Sequence, residues 1–73
     1  MRLRANPSTR IVVNGEATET SAATLAELVA ELGFADGSVA TALNGNFVPR
    51  AARSTTKLSR DDKVEIVAPR QGG

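Results

Sequence analysis

The chain has 73 residues, 41% of them hydrophobic, and its 9 lysines and arginines nearly balance its 8 aspartates and glutamates, for a net charge of +1. This length suits one small domain, a charge so near zero does not favour nucleic-acid binding, and the absence of cysteine and histidine excludes disulfides and makes a zinc site unexpected. No segment approaches the ~18 apolar residues of a membrane span, and no apolar run follows the basic start as in a signal peptide. We therefore expect a cytoplasmic protein.

The first regular element predicted is a β-hairpin. Three consecutive β-branched residues predict a strand over residues 10–14, with Ile11 and Val13 facing the core. Asn14-Gly15 is a typical type I′ turn pair, because both residues tolerate a positive φ. The threonine-rich segment that follows, residues 16–20, is predicted to be the partner strand.

A single amphipathic helix is predicted next. Thr24 and Glu27 have the spacing of a capping box, in which the threonine hydroxyl accepts from the third helical amide. Gly33 stands where a left-handed C-cap is expected, so the helix should run for about eight residues, over 25–32. Its apolar stripe has helical spacing and consists of Leu25, Leu28, Val29 and Leu32.

The second half of the chain alternates strands and turns. Pro49 should end one short strand, because it lacks a backbone N–H for the ladder, and Val64 and Ile66 should point inward from the last strand. In chain order we predict a turn at 36–38, a strand at 39–43, a tight turn at Asn44-Gly45, a short strand at 47–48, an irregular segment with room for one helical turn at 51–58, a polar turn at 59–62 and a strand at 63–68.

This order of elements predicts the fold. One helix with one apolar stripe needs a sheet to cover it, and hairpin, helix, strand, short strand and strand follow one another as in ubiquitin. We therefore predict an α+β fold of the ubiquitin-like β-grasp type, with a mixed four- to five-stranded sheet packed on one main helix. Residues 1–9 are predicted to be a flexible N-terminal extension, residues 10–69 the β-grasp domain and residues 70–73 a flexible tail.

The tail ends in Gly72-Gly73. Because the chain has no thiol and no imidazole, the terminal carboxylate is the group to which reactivity is most readily assigned. Two residues without a Cβ leave the backbone thin and permissive in φ and ψ, so such a tail can enter a narrow channel in a partner enzyme.

Several motifs resemble one family, the ThiS sulfur carriers of thiamine biosynthesis. Residues 42–50, Ala-Leu-Asn-Gly-Asn-Phe-Val-Pro-Arg, are similar to its A-L-N-G-x-x-V-P-R pattern, and residues 62–67 resemble its late D-x-V-E-I-V segment. Residues 11–16 resemble its first strand and turn, and the diglycine end matches its terminus. The resemblance covers residues 11–73.

One residue and one short segment depart from the family pattern. Asp61 stands where the family has a turn glycine, and because aspartate tolerates left-handed geometry better than most residues, we expect the turn to survive. Ala51-Ala52-Arg53 stands where an aromatic residue often follows the V-P-R segment, so the packing there is not predicted by the resemblance.

The resemblance implies a carrier substrate and not an enzyme. A ubiquitin-activating-like adenylyltransferase would use ATP and Mg²⁺ to adenylate Gly73, a sulfur donor such as a cysteine desulfurase would convert it to a thiocarboxylate, and thiazole synthase would take the sulfur. The chain itself would bind no cofactor or metal, and Gly72 would give clearance in the partner's channel. Residues proposed for the partner surface are Phe47, Pro49, Arg50 and Arg70.

Alternatives remain at this point. Phe47, Val48 and Pro49 suit either an exposed patch or ordinary core and turn positions, and Arg50 and Arg70 suit either a partner or solvent. The same tail would serve the small subunit of molybdopterin synthase or a ubiquitin-like protein modifier. A further alternative is an interaction module in which the glycines have no role. An enzyme is disfavoured, because Asp61 and Asp62 are adjacent without a base, nucleophile or metal-ligand cluster.

Overall fold

The computed structural model describes residues 8–68 of the chain, and within them it contains five strands and one α-helix. These elements are β1 (Thr9–Val13), β2 (Glu16–Thr20), α1 (Leu25–Glu31), β3 (Ala40–Leu43), β4 (Asn46–Val48) and β5 (Lys63–Val67). Two 3₁₀-helices, Asp36–Ser38 and Arg50–Thr55, lie in the connections.

The five strands form one mixed sheet in the order β2-β1-β5-β3-β4. β1 and β5 pair in parallel, and the other neighbours pair antiparallel. The last strand thus lies in the middle of the sheet, with β1 on one side and β3 on the other. This arrangement, with one main helix, confirms the predicted α+β β-grasp fold.

The core lies between α1 and one face of the sheet. Side chains of β5 alternate strictly, with Val64 and Ile66 buried and Lys63, Glu65 and Val67 exposed, as expected for a sheet with one covered face. The buried apolar residues come from every layer: Ile11, Ala22, Leu25, Leu28, Val29, Val39, Val48, Val64 and Ile66. Phe34, which follows the helix, packs against this core.

Both ends of α1 are capped by local side-chain and backbone chemistry. The Thr24 hydroxyl accepts from the amide of Glu27 at 3.2 Å, and the Glu27 carboxylate accepts from the amide of Ala23 at 2.7 Å, one residue earlier than in a standard capping box. Gly33 has φ +87°, and the amide of the following residue, Phe34, bonds back into the last turn, as in a Schellman motif.

The prediction that Leu32 belongs to the buried stripe is wrong. The helix ends at Glu31, and Leu32 is the C-cap residue with 38% of its surface exposed. Leu32 thus lies in the terminal cap of the helix and not in its buried stripe, whereas Leu25, Leu28 and Val29 are buried as predicted.

The turns have the predicted geometry. Asn14 and Gly15 have φ 51° and 84°, and Asn44 and Gly45 have φ 51° and 87°, so both pairs have the two positive φ angles of a type I′ turn. Asp61, in place of the family's glycine, has φ 70°. The turn survives the substitution with the aspartate in the left-handed region.

The bounds of several elements differ from the prediction. Thr9 lies in β1 opposite Thr20, so the sheet starts one residue inside the predicted extension. Val39 precedes β3, because its carbonyl accepts from a side chain, that of Arg53. Ala68 follows β5, and β4 starts at Asn46. The predicted turn at 36–38 is a 3₁₀-helix, and the irregular segment contains the six-residue 3₁₀-helix Arg50–Thr55.

Most of the predicted N-terminal extension, residues 1–7, and the predicted tail, residues 70–73, lie outside the described residues. Within residues 8–68, no helix has both the length and the apolar character needed to cross a membrane, and no group of three or more metal-binding side chains lies together.

Candidate functional site

The predicted reacting end of the chain lies beyond the described structure. Gly72, Gly73 and Arg70 are outside residues 8–68, so the roles assigned to them stay predictions. What the structure describes is the base of this segment, which is β5 up to Val67 followed by Ala68.

β5 is a firmly held base. It is the central strand, hydrogen-bonded on both sides, and its inward side chains Val64 and Ile66 are 1% and 5% exposed. Burial of two β-branched side chains and pairing on both edges resist local opening. The last described residues therefore leave the sheet from a defined position.

Two asparagine side chains add bonds to β5 that the sequence analysis missed. The carboxamide of Asn44 accepts from the amide of Lys63 at 2.8 Å, at the start of the strand. The carboxamide of Asn14 bonds both backbone groups of Ile66, near its end. Each Asn-Gly pair was predicted only as a turn, because nothing local in the sequence indicates a bond to a strand 52 residues away for Asn14 or 19 residues away for Asn44.

The face of the sheet opposite α1 carries an exposed apolar patch. Phe47 and Val67 are 69% and 60% exposed, and Pro49, also exposed, follows β4 directly. We call Phe47, Pro49 and Val67 the outer-face patch. Val48 does not belong to it, since that side chain is 8% exposed and packs in the core.

The register connects this patch to β5. Phe47 pairs with Ala42 across β4 and β3, and Ala42 pairs with Glu65 on β5. Ala40 pairs with Val67, two residues further along the same face of β5. Small side chains on β3 thus separate the exposed Phe47 from the exposed end of β5, and the patch lies beside the base of the C-terminal segment.

Arg50 already has a partner within the domain. Its guanidinium bonds the Asp36 carboxylate, although 65% of the arginine side chain is exposed. The hydrogen bond from Arg50 lowers the pKa of the Asp36 carboxyl below its usual value. A Cβ at Gly37 would lie 3.1 Å from the Arg50 guanidinium, which therefore rests against the first 3₁₀-helix.

Arg53 is the buried side chain of the segment that follows Pro49-Arg50, where the resemblance did not predict the packing. Its side chain is only 3% exposed. The guanidinium donates to the Thr41 hydroxyl at 3.1 Å and to the carbonyls of Val39 at 2.7 Å and Asp36 at 2.8 Å. It also contacts the Asp36 carboxylate at 3.3 Å. A hydrogen-bonded arginine thus joins β3 to both 3₁₀-helices.

Comparisons with known proteins agree with this architecture. The crystal structure of the thiamine biosynthesis protein ThiS from Geobacter metallireducens superposes with a TM-score of 0.74 at 29% identity, covering 89% of this chain and all of that one. The solution structure of a thiamine biosynthesis protein from the same organism gives a TM-score of 0.75 at 29% identity, covering 89% and 88% of the two chains.

Comparison with curated protein sequences finds no match. The ThiS family model matches residues 5–73, which is nearly the whole chain and includes both terminal glycines. The chain belongs to the ThiS family.

Proposed function

We propose that this protein is a sulfur carrier of thiamine biosynthesis, in which the carboxylate of Gly73 is adenylated and then converted to a thiocarboxylate. The observation that carries the proposal is the ThiS family match, which runs to residue 73. The likeness to a thiamine biosynthesis protein over 89% of the chain supports it.

The chemistry follows from the carboxylate. Its oxygen is a poor leaving group, so the acyl carbon must first be activated. In the proposed reaction the Gly73 carboxylate attacks the α-phosphate of Mg²⁺-bound ATP on an activating enzyme, pyrophosphate leaves, and an acyl-adenylate forms.

A sulfur donor then displaces AMP from the acyl carbon. If the donor is sulfide, the product is the thiocarboxylate. If it is a persulfide, such as one formed by a cysteine desulfurase, a thiol must also reduce the remaining S–S bond. The thiocarboxylate sulfur is strongly nucleophilic and passes to thiazole synthase.

The domain contributes a scaffold and not a catalytic group. With no cysteine in the sequence, sulfur cannot be held on a thiol side chain, and the C-terminus is the candidate. β5 holds the base of the C-terminal segment in the middle of the sheet, and Gly72 gives clearance where a Cβ would narrow the fit.

The outer-face patch is the proposed docking surface for the activating enzyme and the synthase. Phe47 and Val67 are apolar side chains exposed to solvent beside the base of the C-terminal segment, and aromatic residues, Phe among them, are enriched at protein interfaces. Arg50 is bonded to Asp36, so we place it at the edge of this surface. Arg70 stays a proposed partner contact from the sequence.

Mass spectrometry tests the proposed function directly. After incubation with an activating enzyme, Mg²⁺–ATP and a sulfur source, the C-terminal peptide should gain the mass of an oxygen-to-sulfur exchange at Gly73. Gly72→Ala should slow ATP–pyrophosphate exchange while circular dichroism stays unchanged. Equal exchange rates for the two forms would remove the proposed role of Gly72, and no sulfur incorporation in the wild-type chain would reject the carrier function.

A second assay identifies the enzyme that accepts the sulfur from the thiocarboxylate. Thiazole synthase should consume the thiocarboxylate, whereas consumption by the large subunit of molybdopterin synthase or isopeptide-linked conjugates would assign the same tail to another pathway.

The docking surface is tested by Phe47→Ala, which should raise the KM of the activating enzyme for this protein about tenfold. Leu32→Ala is the matched control, because Leu32 is an exposed apolar residue on the helix layer.

A further inference from the structure

The Asn14 side chain continues the sheet where β1 stops. β1 pairs with β5 through Val12 with Lys63 and Val13 with Val64, and the amide of Asn14 donates to the carbonyl of Val64 at 2.8 Å. There the backbone turns away into the hairpin, while β5 runs on to Val67.

The carboxamide of Asn14 supplies the next rung of this ladder. Its Oδ1 accepts from the amide of Ile66 at 2.9 Å, and its Nδ2 donates to the carbonyl of Ile66 at 3.1 Å. Both bonds are partly buried. A side-chain amide has the same donor and acceptor as a peptide group, so it can replace the two backbone bonds that β1 would have made had it continued.

The second Asn-Gly turn provides an internal comparison. Asn44 has the same φ of 51°, and its carboxamide accepts from the amide of Lys63 at 2.8 Å and donates to the Asp62 carboxylate at 3.0 Å. The two asparagines therefore bind opposite ends of β5. Only Asn14 acts at the end from which the chain continues to Gly73.

We propose that Asn14 is a positioning residue for the C-terminal reaction, because its two bonds to Ile66 (the Asn14 clamp) fix the point from which the last residues leave the sheet. The inference rests on the proposed function, since it assigns Asn14 to the same C-terminal chemistry. Without the clamp, Ile66 and Val67 keep only the bonds to β3, and more backbone must be ordered when a partner binds the terminus.

We therefore expect the effect in the KM of the activating enzyme for this protein as its substrate. Ordering of additional backbone weakens the binding of the ground state and of the transition state alike, which raises KM and leaves kcat nearly unchanged. The variant Asn14→Gly removes both bonds and keeps a residue that suits a positive φ, so the hairpin turn is retained. Asn44→Gly is the matched control at the other end of the strand.

Amide hydrogen exchange tests the clamp independently of any partner. In Asn14→Gly the amide of Ile66 should exchange about tenfold faster, with the amide of Lys63 unaffected. In Asn44→Gly the pattern should be reversed. Unchanged exchange at Ile66 would overturn the clamp itself, whatever the enzymology gives.

Adenylation kinetics test its role. We expect Asn14→Gly to raise KM about three- to tenfold with kcat within about twofold, and Asn44→Gly to leave both near wild type. Asn14→Asp, which keeps the acceptor for the Ile66 amide and loses the donor, should fall between wild type and Asn14→Gly.

An equal rise in KM for the two glycine variants would mean that Asn14 acts only through general stability, and would overturn the positioning role. Failure of the wild-type chain to be adenylated would instead reject the proposed function, and with it the role of the clamp in that reaction, while the exchange data would still decide whether the clamp exists.

Discussion

Removal of the Arg53 side chain should destabilise this domain strongly, although arginine is usually a surface residue. Its side chain is 3% exposed and donates to acceptors on β3 and on the segments before it. Arg53→Ala would leave the carbonyl of Val39, which is bonded in the interior, and that of Asp36 without this donor. Each buried acceptor left unpaired costs about 1–3 kcal/mol.

Loss of the packed stem adds to this cost, while relief from burying a charge subtracts from it. For the two carbonyl acceptors together we expect a loss of about 2–5 kcal/mol in the free energy of unfolding. A domain of this length has roughly 4–11 kcal/mol in total. Arg53→Ala should therefore remove a large share of the stability, and Arg53→Met, which keeps an unbranched apolar chain, should remove less.

Urea unfolding followed by far-ultraviolet circular dichroism is the suitable assay, because the chain has no tryptophan or tyrosine for fluorescence. Arg50→Ala is the control, since that side chain bonds the same carboxylate of Asp36 but is 65% exposed. A loss below about 1 kcal/mol for Arg53→Ala, within the range of a surface ion pair, would refute the argument that its buried bonds hold the two 3₁₀-helices against β3.

Three further predictions concern the local chemistry of the fold. The pKa of the Asp36 carboxyl is lowered in the folded protein, chiefly by the hydrogen bond from Arg50. Its contribution to stability is therefore complete above the unfolded-state pKa near 3.8 and is lost as the pH falls through the lower folded-state pKa. Asp36→Asn should make the loss of stability with falling pH less steep in that window. Asp61→Gly should raise the free energy of unfolding by about 0.5–1 kcal/mol, because glycine adopts the positive φ of this position without strain. Asp62→Gly should lower the free energy of unfolding, because the Asp62 carboxylate accepts from the amide of Ser59 and from the side chain of Asn44. Thr24→Ala should cost about 1 kcal/mol through the lost N-cap, measurable as a lower urea midpoint with an unchanged slope.

Features that depend on neighbouring residues were predicted well. The positive φ of both Asn-Gly pairs, the hydroxyl cap at Thr24 and the left-handed Gly33 follow from side-chain chemistry within a few residues. The inward Val64 and Ile66 follow from the period of a strand. The weakest local predictions were the element ends, because they depend on which backbone groups find partners elsewhere in the fold.

Residues with long-range contacts were predicted poorly. The sequence offered no reason to bury Arg53, since arginine is almost never fully buried unless paired, and its partners lie 12–17 residues away. Phe47 and Val48 are adjacent and both apolar, and only the register of β4 against β3 decides that Val48 packs inward and Phe47 faces solvent.

By itself the sequence determined the main helix, the strands and their β-grasp order, because hydrophobic period, turn pairs and helix caps are local features. The reactivity assigned to the diglycine segment stays a prediction. Only the tertiary structure decided what surrounds β5: the parallel pairing with β1, the Asn14 carboxamide on Ile66 and the exposed patch beside its end. The physical reason is that these contacts join segments far apart in the chain, and their geometry is set by the packing of the whole sheet against α1.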